Sequence, residues 1–183
     1  MSDRVIQTAA RILREGGVVC HATEGVWGFA CDPFDEAAVL RVLALKQRSV
    51  DRGLIVIGTS AEDFAGQLQQ LPSTRRATVT ASWPGRHTWV LPNVGYPEWV
   101  TGGRETLACR VPDHPQARSL VKAFGAPLIS TSANQSGMAA ATTEEAVLRW
   151  PGRLVDYVLP GATAGADGAS VIHDLDGTVL RAS

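Results

Sequence analysis

The four residues Leu54-Ile55-Val56-Ile57 carry no polar side chain. Successive side chains of an extended segment point to opposite faces, so a strand of this composition has to be covered on both sides. Covering both faces takes layers of helix, and the chain supplies helices in alternation with short apolar segments. Val5, Ile6, Ala9, Ile12 and Leu13 recur at helical spacing, and Gly16-Gly17 stops them where a left-handed cap belongs. A strand is expected over 18–22. A loop then holds Thr23-Glu24-Gly25 and Asp32-Pro33, after which Asp35 caps a second helix with the stripe Val39, Val42 and Leu43.

Further along, Trp83-Pro84-Gly85 marks a turn before strands expected over 88–91 and 106–111. Asp113 as cap, Pro115 in the first turn, a stripe at Ala117, Leu120, Val121 and Phe124, and Gly125 as stop define a third helix. Strands follow over 128–133 and 157–159, separated by a short helix for which Thr142 and Glu145 have capping-box spacing. Asp176-Gly177 joins two final strands as a hairpin. The Gly/Ala stretch 161–168 is too short for an interdomain linker and reads as a mobile loop beside a site. The expectation is one α/β domain over 1–183, a twisted mixed sheet with flanking helices and no internal repeat.

Composition narrows the function. Lys+Arg 17 against Asp+Glu 18 gives a net charge of -1, so no global positive field holds a polyanion and any nucleic acid must meet a local patch. Cys20, Cys31 and Cys109 are an odd set without CxxC spacing, which suits a reducing compartment. Arg11, Arg14 and Glu15 interrupt the N-terminal apolar pattern, arguing against a signal peptide, and no long apolar run suggests a membrane span. A soluble, cytoplasmic protein is expected.

Three constellations carry possible chemistry. Lys46 continues the face of Val39, Val42 and Leu43, a cation where core is expected. It either caps the helix dipole and reaches to water or, with Arg48 and Arg52, forms a polyphosphate clamp. Ser130, Ser132 and Asn134 share one face of a strand, so either neighbouring backbone or an acceptor-rich ligand satisfies them. Arg110 shares a face with Thr106 inside an otherwise apolar strand; a structural acid or a substrate carboxylate would fit its guanidinium equally. GxxxxGK[ST], GxGxxG opening a helix and GxSxG are all absent. His21, His87, His114 and His173 lack HxxH and HExxH spacing, so the metal to expect is Mg²⁺ carried in on a nucleotide rather than a protein-ligated zinc.

Taken in order, six segments resemble the threonylcarbamoyl-AMP synthase family (YrdC-like domain) in its short, single-domain bacterial form. They are Thr23-Glu24-Gly25-Val26-Trp27-Gly28; Leu45-Lys46-Gln47-Arg48 through Gly53-Leu54; Trp83-Pro84-Gly85 with Thr88; Cys109-Arg110-Val111-Pro112; Ser130-Thr131-Ser132-Ala133-Asn134-Gln135-Ser136-Gly137; and Ser170-Val171-Ile172 with Val179-Leu180-Arg181. The resemblance implies a large open cavity for ATP, L-threonine and bicarbonate. It implies nucleotide contacts at Lys46, Arg48, Arg52, Thr106, Ser132, Asn134 and Arg181, and threonine contacts at Thr23, Arg110, Ser130 and Ser170. Lys46 and Arg48 take the electrostatic role in catalysis, with Mg²⁺ assisting. The product would be threonylcarbamoyl-adenylate for threonylcarbamoyladenosine at tRNA position 37, passed on by partner proteins. The family usually has Tyr at Trp27, Lys at Arg52 and Pro at Arg86, and some longer members have His at Ile57. Trp27 is expected to keep an aromatic wall. Without the C-terminal domain of longer relatives, a lid would come from the chain's own loops or from a partner.

Two rivals remain. One is a non-catalytic RNA-binding factor using the same basic cavity, for which the local cations permit weak RNA binding. The other is carbamoyl transfer, which related domains of hydrogenase-maturation proteins perform beside zinc-binding domains that this chain lacks.

Overall fold

The computed structural model describes residues 3–150 and 154–182. Helix α1 (Asp3–Arg14) buries Ile6, Ala9, Ala10 and Leu13, and Gly16 closes it at φ 79°. Strand β1 (Val19–Ala22) is buried at every position. The segment read as loop after Thr23 contains a further strand, β2 (Trp27–Cys31). The glycine that disguises it is required: a Cβ on Gly28 would stand 3.0 Å from the Thr131 carbonyl oxygen and 3.3 Å from Ser130 Oγ. Asp35 caps α2 (Glu36–Leu45), its carboxylate accepting the Ala38 N–H at 3.0 Å.

After a 3₁₀ turn over Val50–Arg52, the apolar run forms β3 (Ile55–Ile57). A second 3₁₀ turn over Ala61–Phe64 leads into α3 (Ala65–Gln69) and α4 (Ser73–Ala81), neither of which the apolar pattern announces. In α4 only Val79 is buried, so no stripe exists to be read. Next come β4 (His87–Pro92), the short α5 (Glu98–Thr101), β5 (Thr106–Arg110), α6 (Pro115–Phe124), β6 (Leu128–Ser132) and α7 (Glu144–Arg149). The chain ends in β7 (Tyr157–Val158), β8 (Val171–His173) and β9 (Val179–Arg181), the last two forming the expected hairpin with Gly177 at φ 94°.

Two caps differ from expectation by one residue. Pro115 is the first residue of α6, which makes His114, not Asp113, the residue whose side chain accepts the Ala117 N–H. Asp113 instead faces Arg118 at 3.7 Å. Thr143, not Thr142, caps α7 through the Ala146 N–H, and Glu145 pairs with Arg149 rather than closing a capping box.

All nine strands join one mixed sheet in the order β7-β1-β2-β6-β3-β5-β4-β8-β9. Its register separates two faces. Cys20 is paired with Phe29, and Cys31, Ile129, Val56, Cys109 and Trp89 are paired in sequence across the next strands; all of them pack with α2 into the larger core. The opposite face carries Val19, Ala30, Leu128 and Ile57 beneath α1 and α6. Those two helices pack on each other and reach only part of the second face. Where they end, that face lies open and forms a cavity.

Candidate active site

The cavity measures about 410 Å³. The strand pairing that fixes its floor puts Gly28 beside Ser132, Ile57 beside Arg110, Ile55 beside Ala108, and Val90 beside Ala108 on the far side. Of the residues expected at the site, Thr23, Arg48, Arg52, Thr106, Arg110, Ser130, Ser132, Ser170 and Arg181 line it. Lys46 and Asn134 lie just behind the wall.

One end is cationic. Arg48 Nη2 donates to the carbonyls of Arg52 at 3.1 Å and Gly53 at 2.9 Å, while its Nε is buried without a partner. Arg181 donates to the Ser170 carbonyl at 2.7 Å. Arg104, which no local pattern marked, joins Arg48, Arg52 and Arg181 in the lining. Among the described residues no carboxylate lines the cavity. Burial and then Arg52, Arg181 and Arg104 pull the Arg48 pKa below its ordinary value, and burial and then Arg110 do the same to Arg181. Guanidinium groups keep their charge regardless, so the repulsion persists as an electrostatic demand for an anion.

Lys46 neither reaches water nor faces the cavity: it is 2 % exposed. Its ammonium donates to the Ser132 carbonyl, to Ser132 Oγ at 3.4 Å, and to the Asn134 carbonyl and Oδ1 at 3.2 and 3.1 Å. Burial, then Arg48 and Arg181, lower its pKa to about 8. The strand ends at Ser132, so period-two alternation does not extend to Asn134, which turns back to accept from Ser132 Oγ at 2.6 Å and to donate to the Met138 carbonyl at 2.6 Å. Lysine and asparagine together fix the end of β6.

The other end is built from hydroxyls and one guanidinium. Thr23 Oγ1 donates to the Val26 carbonyl at 2.6 Å. Ser130 Oγ lies 3.1 Å from His21 Nε2, and Ser170 Oγ lies 2.8 Å from Thr88 Oγ1. Arg110 finds a structural acid: Nη2 meets Glu24 Oε1 at 2.5 Å, and Nε donates to the Gly85 carbonyl at 2.9 Å. Glu24 Oε1 also accepts the Asp113 N–H at 2.7 Å, and Glu24 Oε2 is buried with no partner. These contacts leave the remaining N–H groups of Arg110 for the cavity it lines.

The Gly/Ala stretch does border the site. A Cβ on Gly25 would fall 2.1 Å from the Gly168 carbonyl oxygen and 2.6 Å from that of Ala166, so only glycine lets the loop lie this close. Arg86, standing where the family usually has proline, donates to the carbonyls of Asp167 and Ala169 and thereby ties the loop to β4. Trp27 is no cavity wall: it is fully buried in the larger core, because β2 alternation turns Gly28, not Trp27, toward the site. His21, Glu24, Thr88, Arg86 and Arg104 are the site residues that local pattern reading misses, the first four because each acts through a partner far away in the chain.

The family model of Sua5, YciO and YrdC, described as telomere recombination, matches residues 11–183. The chain belongs to the Sua5/YciO/YrdC family. Threonylcarbamoyl-AMP synthase of Stutzerimonas stutzeri is 44% identical over 183 residues, covering 99% of this chain and 98% of the relative. The enzyme of the same name from Pseudomonas fluorescens is 45% identical over 178 residues, covering 96% of each. Among solved structures, P. abyssi Sua5 complexed with L-threonine superimposes with TM-score 0.92 at 30% identity over 99% of this chain, which spans 54% of that protein. The fold shared with the Sua5/YciO/YrdC family includes the mixed, twisted sheet with its flanking helices.

Proposed function

We propose that the protein makes L-threonylcarbamoyl-adenylate from L-threonine, bicarbonate and ATP with release of pyrophosphate, for threonylcarbamoyladenosine at tRNA position 37. One observation carries this reading. A single open sheet face presents arginines without a carboxylate at one end and, at the other, a buried guanidinium among hydroxyls. The first end suits a triphosphate and the second a small amino acid. Relatives of nearly equal length bear the name of this synthase.

The chemistry requires little from acid or base groups. Threonine's amine and bicarbonate give a carbamate with loss of water, and a carbamate oxygen attacks the α-phosphorus of ATP as the bond to pyrophosphate breaks. The nucleophile is already an anion, so the chain's contribution is alignment and neutralisation of phosphate charge. Arg48, Arg52 and Arg181, with Thr106 and Ser132, hold the nucleotide, and Arg104 extends their charge. Lys46 and Asn134 contribute by fixing Ser132, and Lys46 adds a buried positive charge behind it. Arg110 offers its free N–H groups to threonine's carboxylate, with Thr23, Ser130 and Ser170 around the rest of the substrate. Mg²⁺ would be held by triphosphate oxygens and water, since the described lining offers it no acid.

The whole chain 1–183 is taken as one functional domain working in the cytoplasm, with partner proteins carrying the adenylate to tRNA. No helix among the described residues is long and apolar enough to cross a membrane. Incubation with ATP, Mg²⁺, bicarbonate and threonine, followed by mass spectrometry, should reveal a species of threonylcarbamoyl-AMP mass. Pyrophosphate release independent of threonine, or none, would sink the proposal.

A further inference from the structure

His21 is fully buried in β1, and both of its ring nitrogens have a single neighbour. Nδ1 lies 3.1 Å from the Ala22 carbonyl oxygen, and Nε2 lies 3.1 Å from Ser130 Oγ. A carbonyl can only accept, so Nδ1 carries the hydrogen. Burial, the largest influence, drives the imidazole pKa down to about 4, so the ring is neutral in ordinary buffers. A neutral ring with its hydrogen on Nδ1 has a bare lone pair on Nε2. Ser130 must therefore donate its only hydroxyl hydrogen to His21, and what it turns to the cavity is lone-pair density alone.

Thr23 meets the same constraint by another route. Its hydroxyl hydrogen is committed to the Val26 carbonyl at 2.6 Å, and Thr23 also lines the cavity. The amino-acid end of the site thus contains two hydroxyls that act as acceptors toward a ligand. An amine, which has more than one N–H, is the substrate group that two acceptors suit. A carboxylate oxygen placed against either would meet lone pair with lone pair.

We propose that His21 is a positioning residue which fixes the Ser130 hydroxyl as an acceptor, so that Ser130 together with Thr23 recognises the amine of the amino-acid substrate. This rests on the function proposed above and adds to it an orientation: amine toward β1 and β6, carboxylate toward Arg110 on β5. It also gives a reason for a buried histidine outside the reacting groups. Replacing His21 by phenylalanine frees the Ser130 hydrogen to rotate into the cavity, whereas glutamine keeps both partners, its N–H for Ala22 and its oxygen for Ser130.

The test uses the full chain. Long-range ¹H–¹⁵N spectra of the wild type should show His21 as the Nδ1–H tautomer. In pyrophosphate-release kinetics, His21→Phe should raise the KM for threonine about tenfold, the loss of roughly one hydrogen bond, with the KM for ATP unchanged. His21→Gln should restore most of it. 2-Aminobutyrate, which keeps the amine and lacks the hydroxyl, should lose as much as threonine does in His21→Phe. An Nε2–H tautomer in the wild type overturns the inference even if the phenylalanine variant does not fold. Equal rises in both KM values overturn it as well, and a loss confined to threonine overturns the assignment to the amine. Absence of threonine-dependent turnover in the wild type counts instead against the function itself, and the tautomer measurement separates the two failures.

Discussion

The buried pair between Arg110 and Glu24 offers the most searching perturbation. Both side chains are under a tenth exposed, at 9% and 7%, and their charged atoms stand 2.5 Å apart. Burial lowers the Arg110 pKa, Glu24 opposes that shift, and Arg86 adds to it. Breaking such a pair by removing one partner costs about 3–5 kcal/mol because the other charge stays buried. Glu24→Gln is gentler: the amide oxygen can still accept from Arg110 and from the Asp113 N–H, so a loss of about 2 kcal/mol is expected. For a chain of this size that is a fall in Tm of roughly 4–8 °C.

The informative step is the addition of ligand. On the proposed assignment threonine's carboxylate would share the guanidinium with Glu24 in the wild type, whereas in Glu24→Gln it would be the only anion there. Threonine at about 100 times its Kd stabilises a folded protein by about 2.7 kcal/mol. The glutamine variant should gain about 1–2 kcal/mol more than the wild type at the same threonine concentration, recovering much of the lost Tm. The response to ATP should not change between the two proteins. Arg110→Lys should lose most of the threonine response, since an ammonium cannot present two parallel N–H groups. The assay is a thermal shift with threonine and ATP in separate titrations. A threonine response unaltered in both variants would mean that the carboxylate binds elsewhere and that Arg110 and Glu24 are only a structural pair.

Five other outcomes are expected. Arg48→Ala should cut pyrophosphate release by about 2–4 kcal/mol of transition-state stabilisation with folding intact, which activity and far-UV circular dichroism check together. Ser132→Ala should weaken ATP but not threonine in calorimetric titrations, because Ser132 is held by Lys46 and Asn134 at the nucleotide end. The Lys46 pKa of about 8 lies below that of an unfolded lysine, so the free enzyme's kcat/KM for ATP should fall about fivefold between pH 8 and 9, a limb that Lys46→Arg removes. The same sign makes conformational stability rise, not fall, with pH from about 8 toward the unfolded value, a trend that urea melts can follow. Arg86→Ala should raise the KM for threonine several-fold with little change for ATP, because it releases the Asp167 and Ala169 carbonyls just before Ser170; an unchanged KM would leave the tether without a role.

The elements that sequence announced are those whose causes are local. Asp35 followed by an apolar stripe defines a helix because the carboxylate, the capped N–H and the stripe all lie within a few residues. Strand β2 escaped because Gly28 is dictated by Ser130 and Thr131, more than a hundred residues later, and looks like a loop residue when read alone. Helix α4 escaped because most of it is not buried, leaving only propensity to read, and its Thr-rich sequence has little of that.

The site divides along the same line. Strand alternation correctly put Thr106 with Arg110 on one face of β5 and Ser130 with Ser132 on one face of β6, since alternation is a property of the strand itself, and it failed for Asn134, which lies past the end of β6. It could not say what stood against them. Whether Arg110 faced an acid or awaited a substrate was undecidable from spacing, because Glu24 lies on the far side of three intervening strands in the chain. Lys46 shows the same limit from the other direction: its stripe put a cation where core is expected, yet it neither reaches water nor clamps a ligand from the cavity wall, because the oxygens that make its burial tolerable belong to Ser132 and Asn134. His21 goes furthest. A histidine within Val-Cys-His-Ala gives no local reason to be anything but core, and its consequence appears only when the sheet brings Ser130 to one nitrogen and leaves the Ala22 carbonyl on the other. Within the strands, pattern therefore identifies which side chains face the cavity. The polarity with which each hydroxyl and each charge meets a ligand is decided by partners that only the fold brings together.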